Sequence, residues 1–411
     1  MAAWCSMRVV LPSSTNTPST HGCGKLRATC CRAWDMSWQR TTSAARCGGG
    51  VSMVSKAAAA FRLDSSLFTP VPIVVARFGA FTATAFRYRS GVAGLRIANA
   101  VGEIVVLPFQ GQQVWDAQFH GRRLTMRSMF DEPQATRDYL RSYGALLLHC
   151  GGTAMGNPGP EDRHPLHGEL PALPLTEAWL ECGHDADGAF VDIMGEGRDV
   201  LAFSHDFVAR PRLRLREAGT SIDVDLVVEN QAGTLLPFMY LAHINFLPVD
   251  GATLHDAADD ASIAVRGQDD APAAARDYHE RVSADPPSHR VVEAGVAVLP
   301  ELVLTMQVAA GADGFTHVLQ RHPDGGGDFV SYRPSELPYA VRWMTRGPNQ
   351  DALGLVLPAT APADGLAAAR RGGQLVQIAP GASFHTRYSF GALDRPSADE
   401  LVTTIAALRH A

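Results

Sequence analysis

Ser221-Ile222-Asp223-Val224-Asp225-Leu226-Val227-Val228-Glu229-Asn230 alternates apolar and polar side chains. That period of two puts Ile222, Val224, Leu226 and Val228 on one face and defines a strand with one buried side. Just upstream, Leu213 and Leu215 sit between Arg212, Arg214 and Arg216 and follow the same rule. Far downstream, Phe384, Tyr388 and Phe390 alternate with His385, Arg387 and Ser389 after the Pro380-Gly381 turn. Nearer the start, Leu95-Arg96-Ile97-Ala98-Asn99 passes through Gly102 into Ile104-Val105-Val106-Leu107-Pro108, which reads as a hairpin. Short strands at this spacing, with few long helical stripes between them, predict an all-β antiparallel sandwich rather than a parallel α/β sheet.

Helices are expected only at the periphery. Asp131 to Tyr143 reads as one short helix, and Ser397-Ala398-Asp399-Glu400 has capping-box spacing ahead of the stripe Leu401, Ile405 and Leu408. Residues 255–290, rich in Ala, Asp, Pro and His, read as an exposed insertion or long loop. Gly325-Gly326-Gly327 is a flexible turn, because no Lys-Ser/Thr follows to make a phosphate loop. The expected organisation is a leader over 1–52, a lead-in over 53–89, a sandwich domain over 90–395 and a C-terminal helix over 396–411.

Composition narrows the functional classes. The chain has 411 residues, 46% of them hydrophobic, with 38 Gly and 26 Pro, which describes a turn-rich globular protein. A formal charge of -6 and the lack of a basic stripe give no reason to expect a nucleic-acid or anionic-membrane partner. Nor is there an apolar run long enough for a transmembrane helix. Five of the seven cysteines precede Met53, leaving Cys150 and Cys182 in the body. The body therefore reads as a reduced, cytoplasmic protein with structural thiols. Residues 1–52 carry a single acid, Asp35, and many Ser, Thr and Arg. They read as disordered, either a transit peptide to an organelle or codons ahead of a true start at Met53.

The stretch richest in chemistry is Arg163-His164-Pro165-Leu166-His167-Gly168, followed by Tyr240-Leu241-Ala242-His243-Ile244-Asn245-Phe246. Proline biases His164 towards an extended backbone, and Gly168 permits a tight turn or a close ligand approach. A histidine in a cleft can bond a sugar oxygen, shuttle its proton or bind a metal, whereas a buried one is commonly a satisfied core residue. For Arg342 and Trp343 the choice lies between a hydroxyl clamp beside a stacking platform and a core tryptophan beside a surface arginine. His149-Cys150 is no nucleophile pair, since adjacent residues on a strand face opposite sides.

In order along the chain, Gly94-Leu95-Arg96-Ile97, Pro108-Phe109-Gln110-Gly111-Gln112, Gly151-Gly152, the two histidine motifs, Pro338-Tyr339-Ala340-Val341-Arg342-Trp343 and Gly354-Leu355-Val356-Leu357-Pro358 form a colinear pattern. It resembles the aldose 1-epimerase-like proteins of the galactose mutarotase superfamily, in the branch described only as a domain of unknown function. The likeness covers about residues 90 to 393. It implies a β-supersandwich with a carbohydrate cleft and a small-molecule sugar or sugar derivative as partner. It implies no metal and no organic cofactor, and a monomer or homodimer.

Matched position by position, the resemblance implies that His167 and His243 are catalytic, with His243 the acid at the ring oxygen. His164, Asn245, Arg342 and Trp343 would contact the sugar. The family's late-strand glutamate, the base for the anomeric hydroxyl, falls at Leu357. A leucine takes no proton, so either another carboxylate (Asp351, Glu169 or Glu336) reaches the cleft or the site binds sugar without epimerising it. A third reading is a metal-assisted isomerase or lyase with His164, His167 and His243 as ligands, which needs a bend between the first two.

Overall fold

The computed structural model describes residues 59–267 and 273–409. The leader expected over 1–52 lies outside the described residues. Among them, strands form a nine-stranded and a thirteen-stranded sheet, and every strand pairing is antiparallel. The all-β supersandwich expected from sequence is the architecture observed.

The deciding strand, Ser221–Asn230, sits centrally in the nine-stranded sheet between His205–Arg216 and Ser383–Leu393. Val224 lies opposite Leu213 on one side and Tyr388 on the other, so the three alternating runs share one buried face. On the outer face Arg214 holds Asp192 at 2.7 Å and Arg216 holds Asp185 at 2.8 Å. The predicted hairpin is present too, with Leu95 opposite Val106 and Ile97 opposite Ile104. Strands Ala59–Arg62, Ile73–Phe78 and Phe81–Arg87, within the stretch read as a lead-in, join the same two sheets.

Strand Leu236–Ile244 shows how the larger sheet makes two interiors. Phe238, Tyr240, Ala242 and Ile244 point into the core between the sheets, while Met239 and Leu241 belong to a second apolar cluster on the far side. Both faces are covered, which is why this strand reads as a continuous apolar run rather than an alternation. The adjacent pair His149 and Cys150 divides in the same way: His149 bonds the Tyr240 hydroxyl at 2.7 Å, and Cys150 lies in the second cluster.

Two local expectations are corrected. Asp131 to Tyr143 contains only a 3-10 turn at Tyr139–Arg141, because Tyr139 and Tyr143 turn inward as isolated anchors rather than as a helical stripe. Residues 255–290 are not simply an exposed loop. They include a helix, Ala273–Ala284, and a 3-10 segment, Pro286–Arg290, with Tyr278, Val282 and His289 buried against the body. A C-terminal helix spans Arg395–Arg409 and buries Ala398 and Ile405; Asp394 accepts the Ser397 N–H at 3.0 Å, so the helix opens ahead of the Ser397 capping box read from sequence.

Candidate functional site

The second apolar cluster floors a cleft of about 430 Å³ on the outer face of the larger sheet. His243 rises into it from strand Leu236–Ile244, because that strand's alternation places residues 239, 241 and 243 on this face. Trp343 comes from Tyr339–Arg346 by the same rule, and Leu357 from Asp351–Ala359.

His167 arrives from a loop. Gly151 N–H donates to its carbonyl at 2.8 Å, and His167 N–H donates to Gly156 at 3.2 Å. Its φ is +59°, an uncommon backbone for a residue with a Cβ, and it is paired with Gly168 at +76°. A Cβ on Gly168 would meet the Ala154 carbonyl at 2.2 Å, so glycine is required for the loop to close on the strand. Glu169 secures the other side by accepting the Thr153 N–H at 2.8 Å and hydroxyl at 2.7 Å.

Within the cleft the rings of His167 and His243 stand edge to face, 5.4 Å between centroids. Trp343 lies 5.4 Å from His243, and Tyr139 lies 4.7 Å from His167. Tyr143 contacts both His243 and Trp343 edge-on, at 5.8 and 6.0 Å. Burial pushes His243 down to about 4 and His167 well below the usual histidine range, with the neighbouring His243 and Arg266 lowering His167 further. Both imidazoles are neutral at pH 7. Burial likewise holds the Tyr139 and Tyr143 hydroxyls well above 10.

Asn245 is fully buried behind His243. Its amide nitrogen donates to the Ala145 carbonyl at 3.0 Å, and its oxygen meets His243 Nδ1 at 2.7 Å. The Tyr143 hydroxyl donates to the same oxygen at 3.3 Å. Asn245 therefore orients the histidine and does not line the cleft.

The remaining sequence candidates fall elsewhere. Arg342 faces the opposite side from Trp343 and is 1% exposed. It holds Asp256 at 3.0 Å, His289 at 2.5 Å and the Leu355 carbonyl at 2.8 Å inside the sandwich. His164 does not line the cleft. Its Nε2 lies 3.4 Å from the Leu366 N–H and 3.6 Å from Asp162, where it helps seat helix Leu366–Arg371. The three histidines do not converge on one point.

Of the proposed substitute carboxylates, Asp351 is paired with Arg346 and Glu336 accepts from Thr386 and the Arg387 N–H, while Glu169 is the loop clamp. None of the three lines the cleft, and Glu301 does. It extends from strand Val298–Met306 at a register irregularity, and its Oε2 accepts the Trp343 indole N–H at 2.5 Å. The sequence signal was there: one acid in the apolar run Val298-Leu299-Pro300-Glu301-Leu302-Val303-Leu304, in step with Val303, which also lines the cleft. Tyr139 and Tyr143 lie in the stretch Asp131 to Tyr143, which reads from sequence as a short peripheral helix and so hides their place in the cleft.

The fold is a β-supersandwich of the galactose mutarotase-like type. Residues 89–392 match the family described as Domain of unknown function (DUF4432), and the chain belongs to that family. Among solved structures, a "putative aldose 1-epimerase" from Klebsiella pneumoniae subsp. pneumoniae is 18% identical with a TM-score of 0.74, the match spanning 86% of this chain and 96% of that one. A galactose mutarotase-like protein from Clostridium acetobutylicum is 14% identical with a TM-score of 0.52, over 75% of this chain and 98% of that one. No curated protein matches the sequence. No helix among the described residues is long and apolar enough to cross a membrane.

Proposed function

We propose that this chain binds an aldose or a close sugar derivative in the cleft and interconverts its anomers by ring opening. The observation that carries the reading is the convergence of His167, His243 and Trp343 from separate parts of the chain onto one aromatic floor. Sugars present an apolar C–H face and a polar rim. Trp343, Tyr139 and Tyr143 suit the face, and Glu301, Gln350, Asn157 and Arg266 suit the hydroxyls. Anomer exchange needs a proton taken from the O1 hydroxyl and one supplied to O5 as the C1–O5 bond breaks. Leu357 does neither. Three groups lining the cleft can take the O1 proton, the Glu301 carboxylate and the His167 and His243 imidazoles.

A second reading, a sugar-binding protein without turnover, is favoured specifically by Leu357. Saturation-transfer NMR over a panel of aldoses, sugar phosphates and glycosides tests what both readings share. Saturable transfer that Trp343→Ala removes supports the cleft as a sugar site, and absence of transfer from every class overturns both.

A further inference from the structure

We propose that His243, with its tautomer set by Asn245, is the base of this site, and that its Nε2 both takes the anomeric proton and returns it to the ring oxygen. This rests on the anomer-exchange reading and reverses the order in which the resemblance uses His243, as acid alone.

The carbonyl of Ala145 can only accept a hydrogen bond. The amide group 3.0 Å from it must therefore be the nitrogen of Asn245, and the amide oxygen faces the other way. That oxygen, having no proton, must receive one from His243 Nδ1 at 2.7 Å. The Asn245 backbone N–H donates to Leu146 at 2.7 Å, so the arrangement is fixed by the end of the strand rather than by a mobile side chain. A neutral imidazole carries one N–H. With Nδ1 holding it, Nε2 at the other end of the ring carries a lone pair, and His243 lines the cleft.

A bare Nε2 cannot begin as a proton donor. It takes the proton from the O1 hydroxyl as the C1=O bond forms, and the C1–O5 bond breaks with its electron pair going to O5. The imidazolium Nε2–H then gives that same proton to O5, so nothing is left over and no co-reactant is needed. Rotation about C1–C2 and the reverse sequence close the other anomer. A weakly basic imidazole is a strong acid once protonated, which favours the return step.

The groups packed around His243 fit this assignment. Tyr139 and Tyr143, from one segment, are held protonated, and His167, from the loop, is neutral. Glu301, across Trp343, already accepts the indole N–H. On this account Leu357 costs the site nothing, because the carboxylate base is not used.

The first test needs no substrate. In ¹⁵N-histidine-labelled protein at pH 7, with the His243 signals assigned by His243→Gln, we expect Nδ1 protonated and Nε2 with the shift of an unprotonated ring nitrogen. A protonated Nε2 overturns the proposal whether or not the protein turns over any sugar. The second test is the pH dependence of kcat/KM for anomer exchange on the best aldose of the panel. We expect an acid limb near 4 that Asn245→Asp, by placing a carboxylate on Nδ1, moves upward by about one to three units. Glu301→Gln should raise KM and leave that limb in place. Loss of the limb in Glu301→Gln assigns the base to Glu301 and overturns the proposal. A correct tautomer with no exchange of any aldose overturns the relay and the anomer-exchange reading together, while the positioning role of Asn245 stands.

Discussion

The Trp343 indole N–H donates to Glu301 Oε2 at 2.5 Å, tying the stacking platform of the cleft to the carboxylate beside it. The two residues come from hydrogen-bonded neighbouring strands, with Val303 opposite Trp343, so the bond is set by sheet register. Glu301→Gln keeps the size but weakens a charge-assisted bond to a neutral one. We expect sugar affinity to fall about 5- to 30-fold, from about 1–2 kcal/mol of lost interaction, with thermal stability within a few degrees of wild type. Asp351→Asn and Glu336→Gln should leave affinity unchanged, since neither side chain lines the cleft. Titration followed by tryptophan fluorescence separates the three.

Arg342 is a core residue by this structure, and its loss should be read in stability rather than binding. Asp256 is buried, and although burial alone would raise its carboxyl, Arg342 and Arg290 hold it well below the usual range. Arg342→Met removes one partner of a buried pair and should cost about 3 kcal/mol, partly recovered by Arg342→Met with Asp256→Asn. Chemical denaturation measures this directly. A variant that folds with wild-type stability but loses sugar binding would contradict the placement.

Acid should destabilise the protein through its buried histidines. His243 and His149 are pushed down to about 4 and His289 to about 3, all chiefly by burial. Each is neutral in the folded state and takes up a proton near pH 6.5 once unfolded. Their contribution is thus complete above about pH 6.5 and is lost as pH falls towards 4. For His243 alone this is up to about 3 kcal/mol. Unfolding midpoints measured between pH 7 and 4 should fall steadily, and His149→Phe should flatten the curve if the ring packs without strain.

The loop that carries His167 depends on glycine. Gly168→Ala puts a Cβ against the Ala154 and Gly151 carbonyls in a backbone at φ +76°, so the loop must move. We expect at least tenfold weaker sugar binding with the two sheets intact, seen as unchanged far-ultraviolet dichroism beside a rise in dissociation constant.

Much of the fold was legible in the sequence because strands with one wet face advertise themselves. Ser221–Asn230 and its partners alternate cleanly, and their pairing follows from that. The cleft was harder. Its floor belongs to strands buried on both sides, so Tyr339–Arg346 has no alternation to say that Trp343 faces out while Arg342 faces in. The histidine motifs stood out through their proline, glycine and asparagine neighbours, and His167 and His243 do meet. Glu301 showed in the sequence only as one acid in an apolar run, because its role depends on a register irregularity and on a strand partner 42 residues away. His164 and Asn245 lie close to the site, but local backbone geometry turned one to a helix end and the other to the back of an imidazole.

The most direct measurement of the central claim is exchange NMR of anomeric protons on a panel of aldoses, with wild type beside His167→Ala and His243→Ala. We expect faster interconversion of at least one aldose, lowered by about 10²- to 10⁴-fold in His243→Ala and strongly reduced in His167→Ala. No acceleration of any aldose, or acceleration that survives both substitutions, would contradict it.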